Sequence, residues 1–449
     1  MSRLPRVAVG TITAEADATA LIWGLSAALE ACGQHVQTFR ARACFAALDG
    51  AVVISGRATR HLDSWLLTPD ACRQALLRGT ADDRLAIVEG EFGSSDLAPQ
   101  TAQAAGGQLD LICQWLDLPR LAVVDVSRLD GCRVPGRPVA DGLLLDRVPS
   151  EAKFYRVQTL LESLWGIPVY GGMEDAEALR GAIAALSPGE RPARWLGEAL
   201  GNALARMSNV DRIRRLADSR AFPYRREPTP TATQHWSPLR VAIAWDDAFH
   251  CYYPETLELL ESRGATLRDF SPLGDERLPE GTDIVYFGCG HPQRFAQALS
   301  ENQCLASALR QHVCNGLRVY AEGGGLAYLC EQIELADGRR FSMAGVLPAV
   351  ARENRQRPTP LPHTVELRHS NWLGSAGTRL RGYLNQRWSI LPTGPLRVDD
   401  ESMGQLNVVG RHQAIGSRVH LDFATDTAAA DRFFAPHAAS LELAAARAD

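Results

Sequence analysis

The sequence predicts two consecutive α/β domains, each built on a sheet of parallel strands. The chain has 449 residues, which is more than one ordinary hydrophobic core accommodates. In both halves short apolar runs alternate with stretches of helical periodicity, the pattern of βαβ units. Between the halves, residues 222–239 contain four prolines and no periodicity, which is typical of a linker. We therefore expect a first domain over residues 1–221 and a second domain over residues 240–449.

The first half repeats one unit, in which a short apolar strand is followed by a polar turn and a helix. An amphipathic helix is predicted from Ala18 to Cys32, and Gly33 suits its end. Parallel strands require crossover helices of this kind, so the repeat favours a parallel sheet. The predicted strands lie at residues 7–9, 85–88, 121–124 and 142–145.

The second half begins with the same unit and later changes character. A helix is predicted over residues 256–263. From about Phe341 short strands and turns dominate, and a final helix is predicted to begin near Thr427. The parallel strands of this half are predicted at residues 241–244, 284–287 and 318–320.

Composition excludes several classes of protein. A formal net charge of -5 gives no general attraction to nucleic acid or to an anionic membrane. The sequence has no apolar run long enough to span a bilayer and no signal-peptide pattern at its start, so we expect a cytoplasmic location. None of the ten cysteines forms a C-x-x-C pair or joins histidines at zinc spacing, so no metal site is predicted.

The segment after the first strand stands where a nucleotide-binding domain holds phosphates. Such a loop needs glycines, a lysine for the phosphates and a hydroxyl for magnesium. Here the strand ends at Gly10, Asp17 stands at the lysine position, and Ala18 stands at the hydroxyl position, although Thr19 follows. The two inner glycine positions hold Ala14 and Ala16.

Two interpretations of this loop follow. Acidic side chains at a phosphate site repel the ligand, so the segment reads as a helix start in which Asp17 serves as N-cap. The alternative is an unusual ATP site that tolerates these changes. If nucleotide binds, the candidate residues are Gly10, Thr11, Thr19 and Glu89.

Several further motifs resemble one family, the cobyrinic acid a,c-diamide synthases. In that family the motifs read G-R-x-x-R-N-L-D-x-W, V-E-G-x-M-G, L-N-R-V-x-S-E and D-x-A-F-x-F-Y-Y-P, with a Met-Ala-Gly-Val-Leu-Pro segment further on. They occur in order and at family spacing through the chain. The matching segments are residues 56–65, 88–93, 144–151, 246–254 and 343–348.

The resemblance implies a P-loop-like parallel-sheet synthetase domain followed by a class I glutamine amidotransferase-like domain of flavodoxin-like α/β fold. Members of this family use ATP and magnesium, and they amidate corrin acetate side chains with nitrogen from glutamine. Close relatives amidate other tetrapyrroles. The implied ligand is therefore a tetrapyrrole or corrinoid, and the candidate residues for its cleft are Arg57, Arg60, Asp63, Trp65, Asp246 and Tyr252. The alternative is that they support the fold.

The synthetase half departs from the family at chemically important positions. The K-x-G-P-D-F segment falls on residues 40–45, which lose the Gly-Pro-Asp turn. The asparagine that reads a nucleotide base corresponds to Asp146. Glu89 is kept, although it can equally cap the turn that follows its strand.

The amidotransferase half lacks its nucleophile. The family elbow Y-A-E-C-G-G-L is written at residues 320–326 as Y-A-E-G-G-G-L, so Gly323 takes the place of the cysteine. His420 aligns with the family's catalytic histidine, and its alternative role is structural. The family loop G-G-G-Y-P-E falls on residues 288–293, where Cys289 is a candidate for a displaced nucleophile. Cys330 is expected on the helix after the elbow, too far away to substitute.

Three hypotheses on function remain at this point. The first is a catalytically degenerate homologue that binds a tetrapyrrole or corrinoid, or that serves as a scaffold, as a homodimer or beside an active paralogue. The second is an atypical amidotransferase of cobalamin or siroheme biosynthesis that uses free ammonia. The third is a protein of an unrelated pathway that recruited the fold, because function resides in sites and not in folds.

Overall fold

The computed structural model describes residues 4–12, 16–43, 45, 49–80, 84–93, 107–129, 136–224, 239–355 and 359–423. The chain separates into two compact units, Met1–Glu227 and Pro228–Asp449. Ala14, most of the predicted linker and the predicted final helix near Thr427 lie outside the described residues. None of the described helices is long and apolar enough to cross a bilayer.

The first unit contains one seven-stranded sheet in which every neighbouring pair is parallel, which confirms the predicted fold class. The strand order is β3-β2-β4-β1-β5-β6-β7. The central strands are buried on both faces, which explains their continuous apolar sequence. The strands are β1 (Arg6–Thr11), β2 (Val36–Arg40), β3 (Arg60–His61), β4 (Leu85–Glu91), β5 (Arg120–Asp125), β6 (Gly142–Val148) and β7 (Val169–Glu174).

Helices supply the crossovers of this sheet. Helix α1 packs closely against α7, because Gly24 and Gly201 lie where a Cβ would meet the backbone of the other helix at 2.9 Å and 3.2 Å. The described helices of this unit are α1 (Thr19–Ala31), α2 (Ala51–Ser55), α3 (Pro69–Gly79), α4 (Leu109–Leu116), α5 (Glu151–Trp165), α6 (Glu177–Ala184), α7 (Arg194–Ala205) and α8 (Val210–Ala217).

The strand β1 lies at the centre of the first sheet, between β4 and β5. The strands that follow β1 in the sequence, β2 to β4, lie on one side of it, and β5 to β7 lie on the other side. The carboxyl end of β1 is therefore a topological switch point. Ligands of open α/β sheets bind at such points, so the loop that follows Thr11 occupies the position expected for a nucleotide loop.

The predicted linker begins within the packed structure of the first unit. Phe222 is 1% exposed and belongs to the core under β4. The Arg6 guanidinium lies 4.7 Å from the centre of its ring and also donates to the carbonyl of Arg220. The first unit therefore includes Phe222, because a buried arginine needs both the ring and the carbonyls of this segment.

The second unit is built on a mixed seven-stranded sheet of order β10-β8-β11-β13-β22-β21-β20. Its first five strands are parallel, and β21 runs antiparallel to both β20 and β22. The strands of this sheet are β8 (Arg240–Ala244), β10 (Thr266–Phe270), β11 (Ile284–Phe287), β13 (Arg318–Glu322), β20 (Arg397–Ser402), β21 (Gln405–Arg411) and β22 (Ala414–Ser417).

Shorter sheets complete the second unit and agree with the predicted richness in strands after Phe341. A two-stranded sheet contains β9 (Phe249–Cys251) and β12 (Cys289–Gly290). A four-stranded sheet contains β14 (Cys330–Glu334), β15 (Arg340–Ser342), β16 (Leu347–Glu353) and β19 (Trp388–Pro392). A three-stranded sheet contains β17 (Leu361–Glu366), β18 (Arg379–Leu384) and β23 (Val419–Leu421). The described helices are α9 (Pro254–Ser262), α10 (Ala296–Glu301), α11 (Gln303–Cys314) and α12 (Gly324–Leu329).

We predict that His312 makes the second unit sensitive to acid. His312 is buried on α11, its Nε2 lies 3.1 Å from the carbonyl oxygen of Arg318, and burial lowers its pKa from 6.5 to about 4. Between pH 6.5 and pH 4, His312 is therefore protonated in the unfolded chain but stays neutral in the folded chain. The free energy of unfolding that His312 contributes above pH 6.5 is lost across this range, a decrease of about 3 kcal/mol.

In urea unfolding at pH 7 and pH 5, His312→Gln should lose less stability on acidification than the parent protein, because glutamine can donate to the same carbonyl and does not titrate. His35→Gln changes an exposed histidine and is the matched control. Equal losses in the parent and in His312→Gln would contradict the prediction.

Candidate active site

A sharp turn between β13 and α12 forms the centre of the candidate site. Gly323 follows β13 with φ 49° and ψ −106°, and its N–H donates to the carbonyl of Ser417 at 2.8 Å. This region of backbone space favours glycine, so the residue suits a strained strand-to-helix elbow. The predicted elbow is therefore present in the structure, without a side chain at its tip.

The three glycines of the elbow allow the preceding strand and loop to approach very closely. A Cβ on Gly324 would lie 2.8 Å from the carbonyl oxygen of Gly290, and one on Gly325 would lie 2.8 Å from that of Phe287. Real side chains do not tolerate such distances from backbone atoms. The glycines thus hold the segment 287–290 directly against the elbow.

The thiol of Cys289 occupies the space beside the elbow. A Cβ on residue 323 would lie 2.8 Å from the Cys289 Sγ and 3.3 Å from the Asn385 Nδ2. Cys289 begins β12, which pairs antiparallel with β9 so that Cys289 lies opposite Cys251. The sulfur atom of this site therefore comes from the neighbouring strand and not from the elbow.

His420 contacts both acidic groups of the site through one nitrogen. Its Nδ1 lies 3.5 Å from the Cys289 Sγ and forms a short hydrogen bond with the Glu322 Oε2. The ring of Tyr253 lies over the imidazole, with 3.9 Å between ring centres. The sequence placed His420 at this site, and the structure brings it together with Cys289 and Glu322.

Glu322 is fully buried and is held by several donors. Its Oε1 accepts from the Tyr320 hydroxyl at 2.7 Å and from the Leu421 N–H at 3.1 Å. Its Oε2 accepts from the Tyr286 hydroxyl at 3.3 Å as well as from His420. Burial, and next the charge of Glu322, raise the pKa values of both tyrosines well above their usual range, so both remain donors.

The environment of Cys289 favours the neutral thiol. Burial raises its pKa well above the usual range, and the charge of Glu322 raises the pKa further. A cysteine nucleophile requires the thiolate, which is normally stabilised by positive charge or by a helix N-terminus. Cys289 thus differs from a typical catalytic cysteine in its electrostatic surroundings.

Cys330 does not lie on the helix after the elbow, as the sequence suggested, because α12 ends at Leu329. Cys330 is the first residue of β14, and its thiol donates to the carbonyl of Leu326 at 3.3 Å. It is fully buried, and burial raises its pKa. Cys330 therefore has a packing role.

In the first unit, Asp17 satisfies the start of α1. Ala18 holds the N-cap position, one residue later than predicted, and the Asp17 Oδ1 accepts from the N–H of Thr19 at 2.9 Å. A protein carboxylate thus binds an amide at the helix end where a nucleotide loop would present its N–H groups to phosphate. Gly10 is crowded as well, because a Cβ there would lie 2.6 Å from Leu109 and 2.8 Å from Phe92.

Two further acidic residues of the predicted nucleotide site are engaged by arginines. Glu89 pairs with the Arg40 Nε at 2.5 Å. Asp146 is buried and pairs with the Arg180 Nη2 at 2.5 Å, and burial raises its pKa. Among the described residues, no lysine stands at the phosphate position, and both of these carboxylates are paired with arginines.

Three of the predicted cleft residues support local structure. Asp63 accepts from the N–H groups of Ala43 and Trp65, both at 2.7 Å. Asp246 accepts from two N–H groups of its own turn and from Ser271 and Leu273. The Tyr252 hydroxyl is buried and donates to the carbonyl of Ala244 at 2.5 Å.

The remaining cleft candidates are partly exposed in the first unit. Arg57 precedes the edge strand β3, Arg60 is the first residue of that strand, and Trp65 follows it. These side chains keep accessible surface, so they stay candidates for ligand contact.

Comparison with known proteins agrees with this architecture. Residues 240–425 match the CobB/CobQ-like glutamine amidotransferase domain. A cobyrinate a,c-diamide synthase of Syntrophotalea carbinolica is 34% identical over 406 residues, which cover 84% of this chain and 85% of that protein. This chain belongs to the cobyrinate a,c-diamide synthase family. Within the family it also resembles the synthases of Dehalococcoides mccartyi, at 28% identity over 96% of this chain and 97% of the relative, and of Priestia megaterium, at 30% over 74% and 75%.

The sequence contained a signal for Cys289, which was therefore a candidate for a displaced nucleophile. The family motifs place a cysteine at residue 323 and a glycine at residue 289, and this chain has the reverse. The two positions are 34 residues apart, and only the structure shows that a Cβ at one nearly touches the sulfur of the other. No sequence motif indicated which residues form hydrogen bonds with Glu322.

We predict that the residues at positions 289 and 323 are energetically coupled. Gly323→Cys would place a Cβ 2.8 Å from the Cys289 sulfur and should destabilise the protein by about 1–3 kcal/mol, the usual range for overpacking. Adding Cys289→Gly should recover most of that loss. Urea unfolding of the parent, the two single variants and the double variant measures the coupling, and strictly additive effects would contradict the prediction.

Proposed function

We propose that this family member binds a corrinoid or related tetrapyrrole and neither hydrolyses glutamine at the elbow nor uses ATP. The observation that carries the proposal is Gly323, which leaves the elbow without a side chain. The name of its relatives, cobyrinate a,c-diamide synthase, supplies the class of ligand. The protein would then act as a carrier or scaffold for a step whose chemistry another protein performs.

The argument against glutamine hydrolysis is chemical. An amide is attacked by a nucleophilic atom that a base activates and an oxyanion hole assists. Gly323 offers no such atom. Cys289 has a buried neutral thiol, and it faces the same imidazole nitrogen that already binds Glu322, so the imidazole is not available as its base.

The argument against ATP is electrostatic. Phosphates bind where N–H groups and cationic side chains converge. Here Asp17 places a carboxylate on the first amide of α1, and Arg40 is already paired with Glu89. A triphosphate at this loop would meet a negative charge in place of a lysine.

The argument for a carboxylate-bearing tetrapyrrole comes from the partly exposed arginines. Arg57 and Arg60 belong to a motif that resembles the family pattern, and guanidinium groups bind carboxylates with two parallel hydrogen bonds. Cobyrinate carries such carboxylates. We therefore assign the ligand to the surface around these two arginines.

Isothermal titration tests the proposal. Cobyrinate or a siroheme-type tetrapyrrole should bind saturably, whereas Mg-ATP should give no binding heat. Arg57→Gln and Arg60→Gln should each weaken tetrapyrrole binding by about tenfold, the effect of losing about 1.4 kcal/mol. Arg194→Gln is the matched control, because Arg194 is an exposed arginine on α7 whose side chain pairs with Glu198 of the same helix.

A glutaminase assay tests the other half. Ammonia release from glutamine should not exceed that of a Cys289→Ser variant. Saturable Mg-ATP binding would instead support the ammonia-dependent amidotransferase, and absence of tetrapyrrole binding would overturn the assigned ligand class.

A further inference from the structure

We propose that Cys289, Glu322 and His420 form a binding site for one divalent transition-metal ion, of which Zn²⁺ fits best, with a fourth coordination position left open. The three side chains come from β12, β13 and β23, and all three are buried. Their ligand atoms all lie within 4.8 Å of one another. This inference goes beyond the proposed tetrapyrrole binding and does not depend on it.

The distance between thiol and imidazole suits a tetrahedral ion. Zinc lies about 2.3 Å from a cysteine sulfur and about 2.0–2.1 Å from a histidine nitrogen, so a tetrahedral angle separates the two ligand atoms by about 3.5 Å. The Cys289 Sγ and the His420 Nδ1 are 3.5 Å apart. Sulfur, nitrogen and oxygen together form a donor set that zinc prefers over magnesium or calcium.

The arrangement differs from a catalytic relay. In a relay the imidazole stands between nucleophile and carboxylate, and each contacts a different ring nitrogen. Here the sulfur and the carboxylate oxygen converge on the same nitrogen, His420 Nδ1. The three possible ligand atoms, which lie within 4.8 Å of one another, are close enough for one ion to contact all of them.

The surroundings orient the carboxylate as an outer coordination shell would. The Tyr320 hydroxyl and the Leu421 N–H hold the Oε1 of Glu322, which leaves Oε2 directed at His420. Glu322 and His420 now share a hydrogen bond, and an ion would take the place of the proton between them. On binding, the two side chains separate to the length of a tetrahedral edge.

The balance of charge also favours an ion. A divalent cation, one thiolate, one carboxylate and one neutral imidazole sum to zero, which is the least costly state for a buried group of charges. On binding, the Cys289 thiol releases its proton to solvent, and the imidazole proton lies on Nε2. Cys289 and His420 retain 5% and 3% of their surface.

Cobalt substitution gives a direct measurement. The full-length protein is treated with chelator, kept reduced because Cys251 lies opposite Cys289, and titrated with Co²⁺. We expect one equivalent to bind with a sulfur-to-cobalt charge-transfer band and the intense visible bands of tetrahedral cobalt. Zn²⁺ should displace the cobalt and raise the melting temperature in a saturable manner.

Variants assign the ligands. Cys289→Ser should abolish the charge-transfer band and weaken Zn²⁺ binding by at least about 100-fold, and Tyr320→Phe should weaken it by about 10-fold through the orientation of Glu322. The matched control is the double variant Cys304→Ser/Cys314→Ser, which removes two exposed thiols and should leave the band unchanged. Circular dichroism of each variant confirms that it is folded.

Three outcomes would overturn the proposal. They are the absence of a sulfur-to-cobalt band in the parent protein, a band that persists in folded Cys289→Ser, and covalent labelling of Cys289 by an electrophilic glutamine analogue in the metal-free protein, which would make it a displaced nucleophile. Because the titration uses metal ions alone, its failure is distinguishable from a failure of tetrapyrrole binding.

Discussion

The buried carboxylate of Glu322 is the group on which the second unit depends. A charged group away from water must be surrounded by donors, or folding becomes prohibitively costly. The donors here come from three strands, with Tyr286 on β11, Tyr320 on β13, and His420 and Leu421 on β23. β23 belongs to a different sheet from β11 and β13. The carboxylate therefore joins two sheets at the elbow and holds His420, whose Nδ1 also contacts the Cys289 thiol.

The same kind of compensation explains the first unit. Asp17, Glu89 and Asp146 stand where the family resemblance implies nucleotide chemistry, and each has a partner within the chain. The partners are an amide of α1, Arg40 and Arg180. Each carboxylate of this region is therefore satisfied within the folded chain.

Much of the fold followed from the sequence because it is encoded locally. Apolar runs and turn residues predicted β1, β4, β5 and β6, and the family motifs placed Gly323 at the elbow and Asp17 at the start of α1. Contacts between residues that are far apart in the sequence could not be predicted from these local patterns. Cys289 and His420 are 131 residues apart, and Phe222 appeared to belong to a linker because its partner, Arg6, lies at the other end of the unit.

The crowding between residues 289 and 323 also constrains the history of the chain. If the ancestor carried its cysteine at residue 323 and glycine at residue 289, as the family motifs imply, an intermediate with cysteine at both positions would have brought a Cβ within 2.8 Å of the other sulfur. A route through glycine at both positions avoids this crowding. While Cys289 remains, a cysteine restored at residue 323 carries an overpacking cost of about 1–3 kcal/mol, so the two positions constrain each other's substitutions.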